Sequence, residues 1–538
     1  MKSLKILVPI FALTFSHLAL AFNKNYLVRV KPEIKSSTVI SELLPFQSKI
    51  IRDYKKLGLL LIEIPDLNKL NRIQKELLPK LFLYLEEDFK LKAFVSPNDD
   101  QYGNQTELAR LDIEKSWDKT TGSNDIIVAV IDTGISANHS DLKNQVYVNS
   151  KEIPDNGIDD DKNGFVDDVS GWNFVNNDHK PIDLNGHGTH VSGTIGAEGN
   201  NSIGVTGINW DIKIMPVQFL DGEGSGNSSD AISAIFYAAD NGAKIINASW
   251  GGGSFSKSLL DAINYAGKKE VLFVAAAGND SSNSDAKPSY PASYDSSAII
   301  SVASTDDVGK LSSFSNFGLT QVDLAAPGGK ILSTYLNDSY KRLSGTSMAT
   351  PMVVGLAALM LSYRPDLTLI QLKNGLLNSV KYHENFKGKF STEGEINGLK
   401  ALNQLDDTSL QIWPQKLNLK AGTDYIFNTF GGTAPFSWTI SNSELATISQ
   451  SGILKIKSEG EGSLTINVQD ASGKVVSTDT INIVKVSSSG GGGGGCVKEA
   501  YAGTNSSSRN SQIWDLTSYL LIILAYLLRK KIFRKKIG

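Results

Sequence analysis

Ile126-Ile127-Val128-Ala129-Val130-Ile131 runs without interruption into Asp132-Thr133-Gly134. An unbroken apolar run is what a strand covered on both faces requires, whereas a strand with one wet face alternates. Runs of the same kind recur at residues 212–217, 244–248 and 271–276, each leading into a loop or a helix-patterned stretch. This alternation predicts an α/β fold over residues 97–405, with a parallel sheet flanked by helices. Open α/β sheets present functional groups at the carboxyl ends of their strands. Asp132 stands at such an end, where a carboxylate can orient an imidazole.

Further motifs supply the rest of a reaction centre. In Asn185-Gly186-His187-Gly188-Thr189-His190, His187 lies between two glycines at the start of a helical pattern. Its ring is free to stand between a carboxylate and a hydroxyl. In Ser344-Gly345-Thr346-Ser347-Met348-Ala349-Thr350-Pro351, Ser347 begins an apolar helix that runs toward Leu361. The unpaired N–H groups and positive end of that helix favour an oxyanion beside the serine, so the Ser347 N–H is one expected donor. Ala275-Ala276-Ala277-Gly278-Asn279 ends a strand in a glycine turn with a side-chain amide, and Asn279 is the second expected donor.

Each motif alone is common, because strand-end aspartates mostly cap or solvate and a Gly-x-Ser turn is usually only a turn. Taken in order they resemble the subtilase family, whose members carry Asp, His and Ser in this sequence. The resemblance implies a serine endopeptidase acting through an acyl-enzyme, with Asp132, His187 and Ser347 as triad and Asn279 in the oxyanion hole. His187 and Ser347 exclude the related acidic peptidases that use Glu in place of His. Ser249-Trp250-Gly251, with Gly278, is implied as the edge that pairs with substrate backbone. Trp250 stands where family members often have Leu, which reshapes the pocket. Asp280 is either a solvated loop carboxylate or an acceptor for a basic side chain.

Between Asp132 and His187 lies Asp155-Asn156-Gly157-Ile158-Asp159-Asp160-Asp161-Lys162-Asn163-Gly164-Phe165-Val166-Asp167-Asp168. From Asp159 it matches the opening of an EF-hand-type calcium loop, with Gly164 at the sharp turn. The predicted ligands are Asp159, Asp161, Asn163, the Phe165 carbonyl and Asp167. Ser170 stands where the chelating Glu belongs, so Asp168 or water completes the shell. An acidic solvated loop is the alternative, but so many carboxylates repel one another without a cation. The family resemblance implies a second Ca2+ site with Asp99, Asp141 and Asn201 and carbonyls of Gly199, Ile203 and Val205. His139, His179, His190 and His383 have no metal-type spacing, and no zinc is expected.

The chain's 538 residues exceed one ordinary domain. Lys plus Arg (53) nearly balances Asp plus Glu (56), so no global field points to a nucleic-acid partner or an anionic membrane. A single cysteine, Cys496, excludes an intrachain disulfide. Lys2 and Lys5 precede an apolar run at residues 6–20, and Ala19-Leu20-Ala21 has the form of a cleavage site, so residues 1–21 read as a signal peptide. Residues 22–96 read as a small α+β unit resembling the subtilase propeptide, an inhibitory and folding partner released near residues 95–100. Residues 406–486 read as an all-β, Ig-like domain with spacer or adhesive duty. A Gly/Ser-rich linker at 487–512 contains Cys496. At 513–538 an apolar segment and basic end read either as a transmembrane anchor or as a GlyGly-CTERM-like tail cut by a membrane-bound sorting protease. Secretion or cell-surface display and protein or peptide substrates follow from this organisation. Two further readings compete with it: an inactive subtilase fold serving adhesion, and a structural surface protein that binds calcium.

Overall fold

The computed structural model describes residues 24–89 and 95–485. The segments read as signal peptide, glycine linker with Cys496 and apolar tail with its basic end lie outside the described residues.

A nine-stranded sheet forms the centre, in the order Lys381–Tyr382, Gly394–Glu395, Leu324–Pro327, Ile299–Thr305, Leu272–Ala276, Ile245–Ala248, Gly122–Asp132, Asp211–Gln218, Trp172–Asn173. Its neighbours run parallel except the outermost pair, Lys381–Tyr382 with Gly394–Glu395. Each predicted apolar run forms one of these strands. The period of two sends alternate side chains to opposite faces. Val128 and Val130 join one core with Met352, Val353 and Leu356 of the helix Thr346–Tyr363. Ala129 and Ile131 join the other, with the helices Ser228–Asp240 and Lys257–Lys268. Burial on both faces explains the missing polar alternation. Among the described residues only Thr346–Tyr363 is long and apolar enough to cross a membrane, and 83% of its apolar window is buried inside the protein.

Residues 24–87 form a four-stranded antiparallel sheet in the order Lys49–Tyr54, Leu59–Ile64, Lys24–Val30, Phe82–Glu87. Val28, Ile62, Ile64 and Ile73 form its own core. The strand-rich region beyond Leu405 is built of short strands in small sheets, most paired antiparallel. Its apolar residues merge with the core of the central domain. Trp413 is fully buried and stacks on Phe430 at 4.4 Å. Asn374, on the helix Leu369–Asn378, donates to Ile426 O and Asn428 Oδ1, both at 2.8 Å.

Leu356 has no exposed surface. Leu356→Ala is expected to cost about 2–5 kcal/mol, read as a lower denaturant midpoint with unchanged slope.

Candidate active site

Asp132 is the last residue of its strand and is wholly buried. Its Oδ1 accepts the Thr133 N–H at 2.7 Å and lies 2.8 Å from His187 Nδ1. Its Oδ2 is buried without a hydrogen-bond partner among the described residues. His187 opens the helix His187–Gly196. Asp183 secures that helix start. Its Oδ1 accepts the N–H groups of Asn185 and Gly186 at 2.9 and 2.8 Å, and its Oδ2 accepts the Thr189 N–H at 2.9 Å. Thr133 Oγ1 donates to Asp183 at 2.9 Å and accepts the Gly188 N–H at 2.9 Å, tying the two chain segments together. A Cβ on Gly188 would stand 2.2 Å from Gly134 O, which explains that glycine.

Burial pulls the His187 imidazole pKa down, but the charge and hydrogen bond of Asp132 and the charge of Asp183 outweigh it, so the net shift is upward. The imidazolium is therefore favoured in the folded protein. This pairing stabilises the fold fully below the ordinary imidazole value of about 6.5 and loses that effect as pH rises through the raised folded value.

Ser347 lies in the first turn of Thr346–Tyr363. Its hydroxyl donates to Ser249 O at 3.0 Å, and Ser249 Oγ donates to Ser347 O at 2.9 Å. The second bond follows from Pro351, four residues on, which has no N–H to offer the Ser347 carbonyl. Among the described residues no hydrogen bond joins Ser347 to His187. Contacts of this kind commonly tighten only in a complex.

Asn279 is exposed, and its Oδ1 accepts both the N–H and the hydroxyl of Thr346 at 2.9 Å. That arrangement turns Nδ2 outward. A methyl placed on Gly345 would lie 3.6 Å from both Asn279 Nδ2 and Ser347 N, so two donors flank one small space. Gly278 has φ +107°, and a Cβ there would come 2.4 Å from Asn316 Nδ2. Asn316 clamps the turn. It donates to Ala277 O at 2.9 Å and accepts the N–H groups of Asp280 and Ser282 at 3.0 and 2.9 Å.

Ser249 is buried, and Gly251 is exposed beside Tyr290. The Trp250 indole is half-buried, donates to Ile131 O at 2.8 Å and meets Phe219 edge-on at 4.8 Å. It is thus anchored to the central sheet as well as lying beside Ser249. The Asp280 carboxylate is exposed.

The acidic loop converges differently from an EF-hand. Glu152, Asp161 and Asp168 bring carboxylate oxygens within 4.8 Å of one another. Asp159 instead accepts the N–H groups of Asn163 and Gly164, and Asp167 those of Asn156 and Gly157. Asn163 donates to Asp168 at 3.0 Å, and the Phe165 ring packs against Trp172 and Tyr237. Left-handed turns at Lys162, Gly164 and Asp167 bend the chain so that backbone donors face the outer carboxylates. At the second loop, Asn201 donates to Asp141 Oδ1 at 2.9 Å, Val205 N–H to Asp141 Oδ2 at 3.0 Å, and Asn200 N–H to Asp99 at 2.7 Å. Gly199 and Ile203 belong to the same turn. Burial pushes the Asp99 and Asp141 carboxyls upward in pKa, and the charge of Asp141 adds to the effect on Asp99. Burial likewise raises Asp168, with the charge of Asp161 adding to it. Crowded, desolvated oxygens of this kind suit a hard cation.

Asp183, Thr346, Asn316 and Glu152 are absent from the sequence-derived site. Thr346 and Pro351 sit within the Ser347 motif and carry a local signal; Asp183, Asn316 and Glu152 act at positions that no motif spacing marks.

Residues 123–406 match the profile described as the subtilase family. A thermophilic serine proteinase from Bacillus sp. (strain AK1) is 41% identical over 52% of this chain and 63% of its own length. Thermitase from Thermoactinomyces vulgaris is 38% identical, over 57% of this chain and 99% of its own length. A halolysin-like extracellular serine protease from Natrialba magadii is 35% identical, over 65% of this chain and 62% of its own. The chain thus spans less than two thirds of the first and third of these relatives.

In an NMR titration, the His187 ring is expected to protonate above the ordinary imidazole value. Asp132→Asn, which removes the charge that opposes desolvation, is expected to bring it below that value.

Proposed function

Because the chain belongs to the subtilase family, we propose that it is an exported, calcium-stabilised serine endopeptidase whose triad is Asp132, His187 and Ser347. The observation that carries the reading is the pairing of His187 with the buried Asp132, with Ser347 at a helix start beside two outward donors. Ser347 Oγ attacks the scissile carbonyl while His187 Nε2 takes its proton. Asp132 holds Nδ1–H and stabilises the imidazolium. Negative charge on the former carbonyl oxygen is met by Ser347 N–H and Asn279 Nδ2. His187 then protonates the leaving amine, and water repeats the sequence on the acyl-enzyme. The segment Ser249-Trp250-Gly251, with Gly278, lines up an extended peptide by strand addition.

Calcium serves structure and takes no part in these steps. Glu152, Asp161 and Asp168 would hold one ion, with Asp159, Asn163, Phe165 and Asp167 shaping the loop. Asp99, Asp141 and Asn201, with carbonyls of Gly199, Ile203 and Val205, would hold another. The cation offsets repulsion among desolvated carboxylates and stabilises by mass action, which suits a chain with a single cysteine. Residues 1–21 direct export, in keeping with the relative described as extracellular. Residues 22–96 act as a propeptide partner, and the tail is anchored or cut by a membrane-bound sorting protease.

Ser347→Ala is expected to abolish both peptide hydrolysis and self-cleavage near residues 95–100, and a serine-directed phosphonate is expected to label Ser347 alone. Asn279→Ala should lower kcat about 10²- to 10³-fold with little change in KM. Because His187 must be neutral to act as base, kcat/KM should rise with pH through a midpoint above about 6.5. A chelator is expected to lower Tm, and by less in Asp161→Asn and Asp141→Asn.

A further inference from the structure

A cavity of about 310 Å³ lies between the central domain and the strand-rich region. It is lined from one side by residues 288–299 and the helix Leu369–Asn378, and from the other by residues 417–426. Tyr290, Tyr294 and Tyr425 contribute to the lining together with Ile370, Leu417 and Leu419. A cavity of this size, mostly apolar with a few polar groups to fix orientation, suits a small molecule. None of the residues lining it belongs to the proposed triad or oxyanion pair.

The buried polar side chains in the lining are engaged, with one exception. Ser293 Oγ accepts the Ser289 N–H at 3.1 Å, and Ser391 Oγ donates to Asp323 O at 3.2 Å. Asn418 donates to Ser391 O at 3.0 Å, and Asn374 donates to Ile426 O and accepts from the Tyr425 hydroxyl, both at 2.8 Å. Lys373 is the exception. It is only 7% exposed, yet its ammonium has no hydrogen bond or ion pair among the described residues. It lies 5.9 Å from the centre of the Tyr425 ring and feels Asp323 and Asp295, which line the same cavity, only as charges. Burial pulls its pKa down against those two carboxylates. Asp323 accepts the Ser301 N–H at 2.8 Å, and neither Asp323 nor Asp295 has an ion-pair partner among the described residues.

An ammonium and two carboxylates therefore face one space without meeting. A buried charge left unpaired is costly, and a partner that brings the opposite charge offsets that cost. One lysine matches one monovalent carboxylate, whereas a phosphate dianion would set surplus negative charge before Asp323 and Asp295. The aromatic and aliphatic lining suits an apolar side chain between the charged ends. We propose that this cavity is a binding site for a zwitterion, a free amino acid or dipeptide with an aromatic or aliphatic side chain, whose carboxylate meets Lys373 and whose ammonium meets Asp323. The site goes beyond the peptidase reading and does not require it.

The test titrates the full chain carrying Ser347→Ala, so that no peptide is consumed, with phenylalanine and glycyl-phenylalanine in a calorimeter. One site per chain with a Kd below about 1 mM is expected for at least one of them. Phenylalaninamide, which lacks the carboxylate, and N-acetylphenylalanine, which lacks the ammonium, should each bind at least about tenfold more weakly than phenylalanine. Lys373→Met and Asp323→Asn should weaken phenylalanine by a similar factor, and inorganic phosphate should not displace it. If either variant fails to fold, the analogue series on the unaltered cavity still decides. Labelling the native serine with a phosphonate should leave phenylalanine binding unchanged. No binding of either zwitterion up to about 20 mM, equal binding of the amide, displacement by phosphate, or loss of binding after phosphonate labelling overturns the proposal. If the phosphonate does not label Ser347, the peptidase reading fails while the titrations still decide the site.

Discussion

A carboxylate sealed from water at a strand's end sets the terms for everything around it. Asp132 has one backbone N–H and one imidazole as partners, and its second oxygen has neither. In so poorly screened a place, an unmatched charge is costly and its field reaches strongly to its neighbours. His187 is the group that answers it, so the position of His187 cannot drift. That requirement explains the clasp of Asp183 and Thr133 around the helix start, and the glycines that let the backbones approach.

The sheet was readable in the sequence because burial on both faces leaves continuous apolar runs, and residues 126–131 are one. The residues proposed to react carried a signal because each sits in a short motif with glycine at a defined offset. Other contributors were hidden for a physical reason. Asp183 and Asn316 work by accepting backbone N–H groups from turns, a task many polar residues perform with no spacing rule. Glu152 lies outside the window of the acidic loop, and only folding brings it to Asp161 and Asp168. The EF-hand pattern pointed to an acidic loop but could not tell which carboxylates turn inward, because that depends on where nearby amides point. Trp250 read as a pocket wall, yet its indole reaches down to a strand carbonyl.

The strands beyond Leu405 were legible one by one, but their union with the central domain was not. Apolar residues at a domain boundary look the same as those of either core. Trp413 and Phe430 stack against each other within a continuous core, and the Asn374 side chain hydrogen-bonds four groups from across the boundary. The boundary behaves as interior.

Pro351 gives the serine helix one carbonyl with no helical donor, and Ser249 takes it while offering its own carbonyl to Ser347. The segment that would read a peptide and the hydroxyl that would cut it are therefore gauged against each other directly, with no intervening layer to accumulate error. Under the proposed function the cleft would work as a ruler whose zero mark is the blade: ruler and blade would travel together, and the bond chosen for cutting would stay the same.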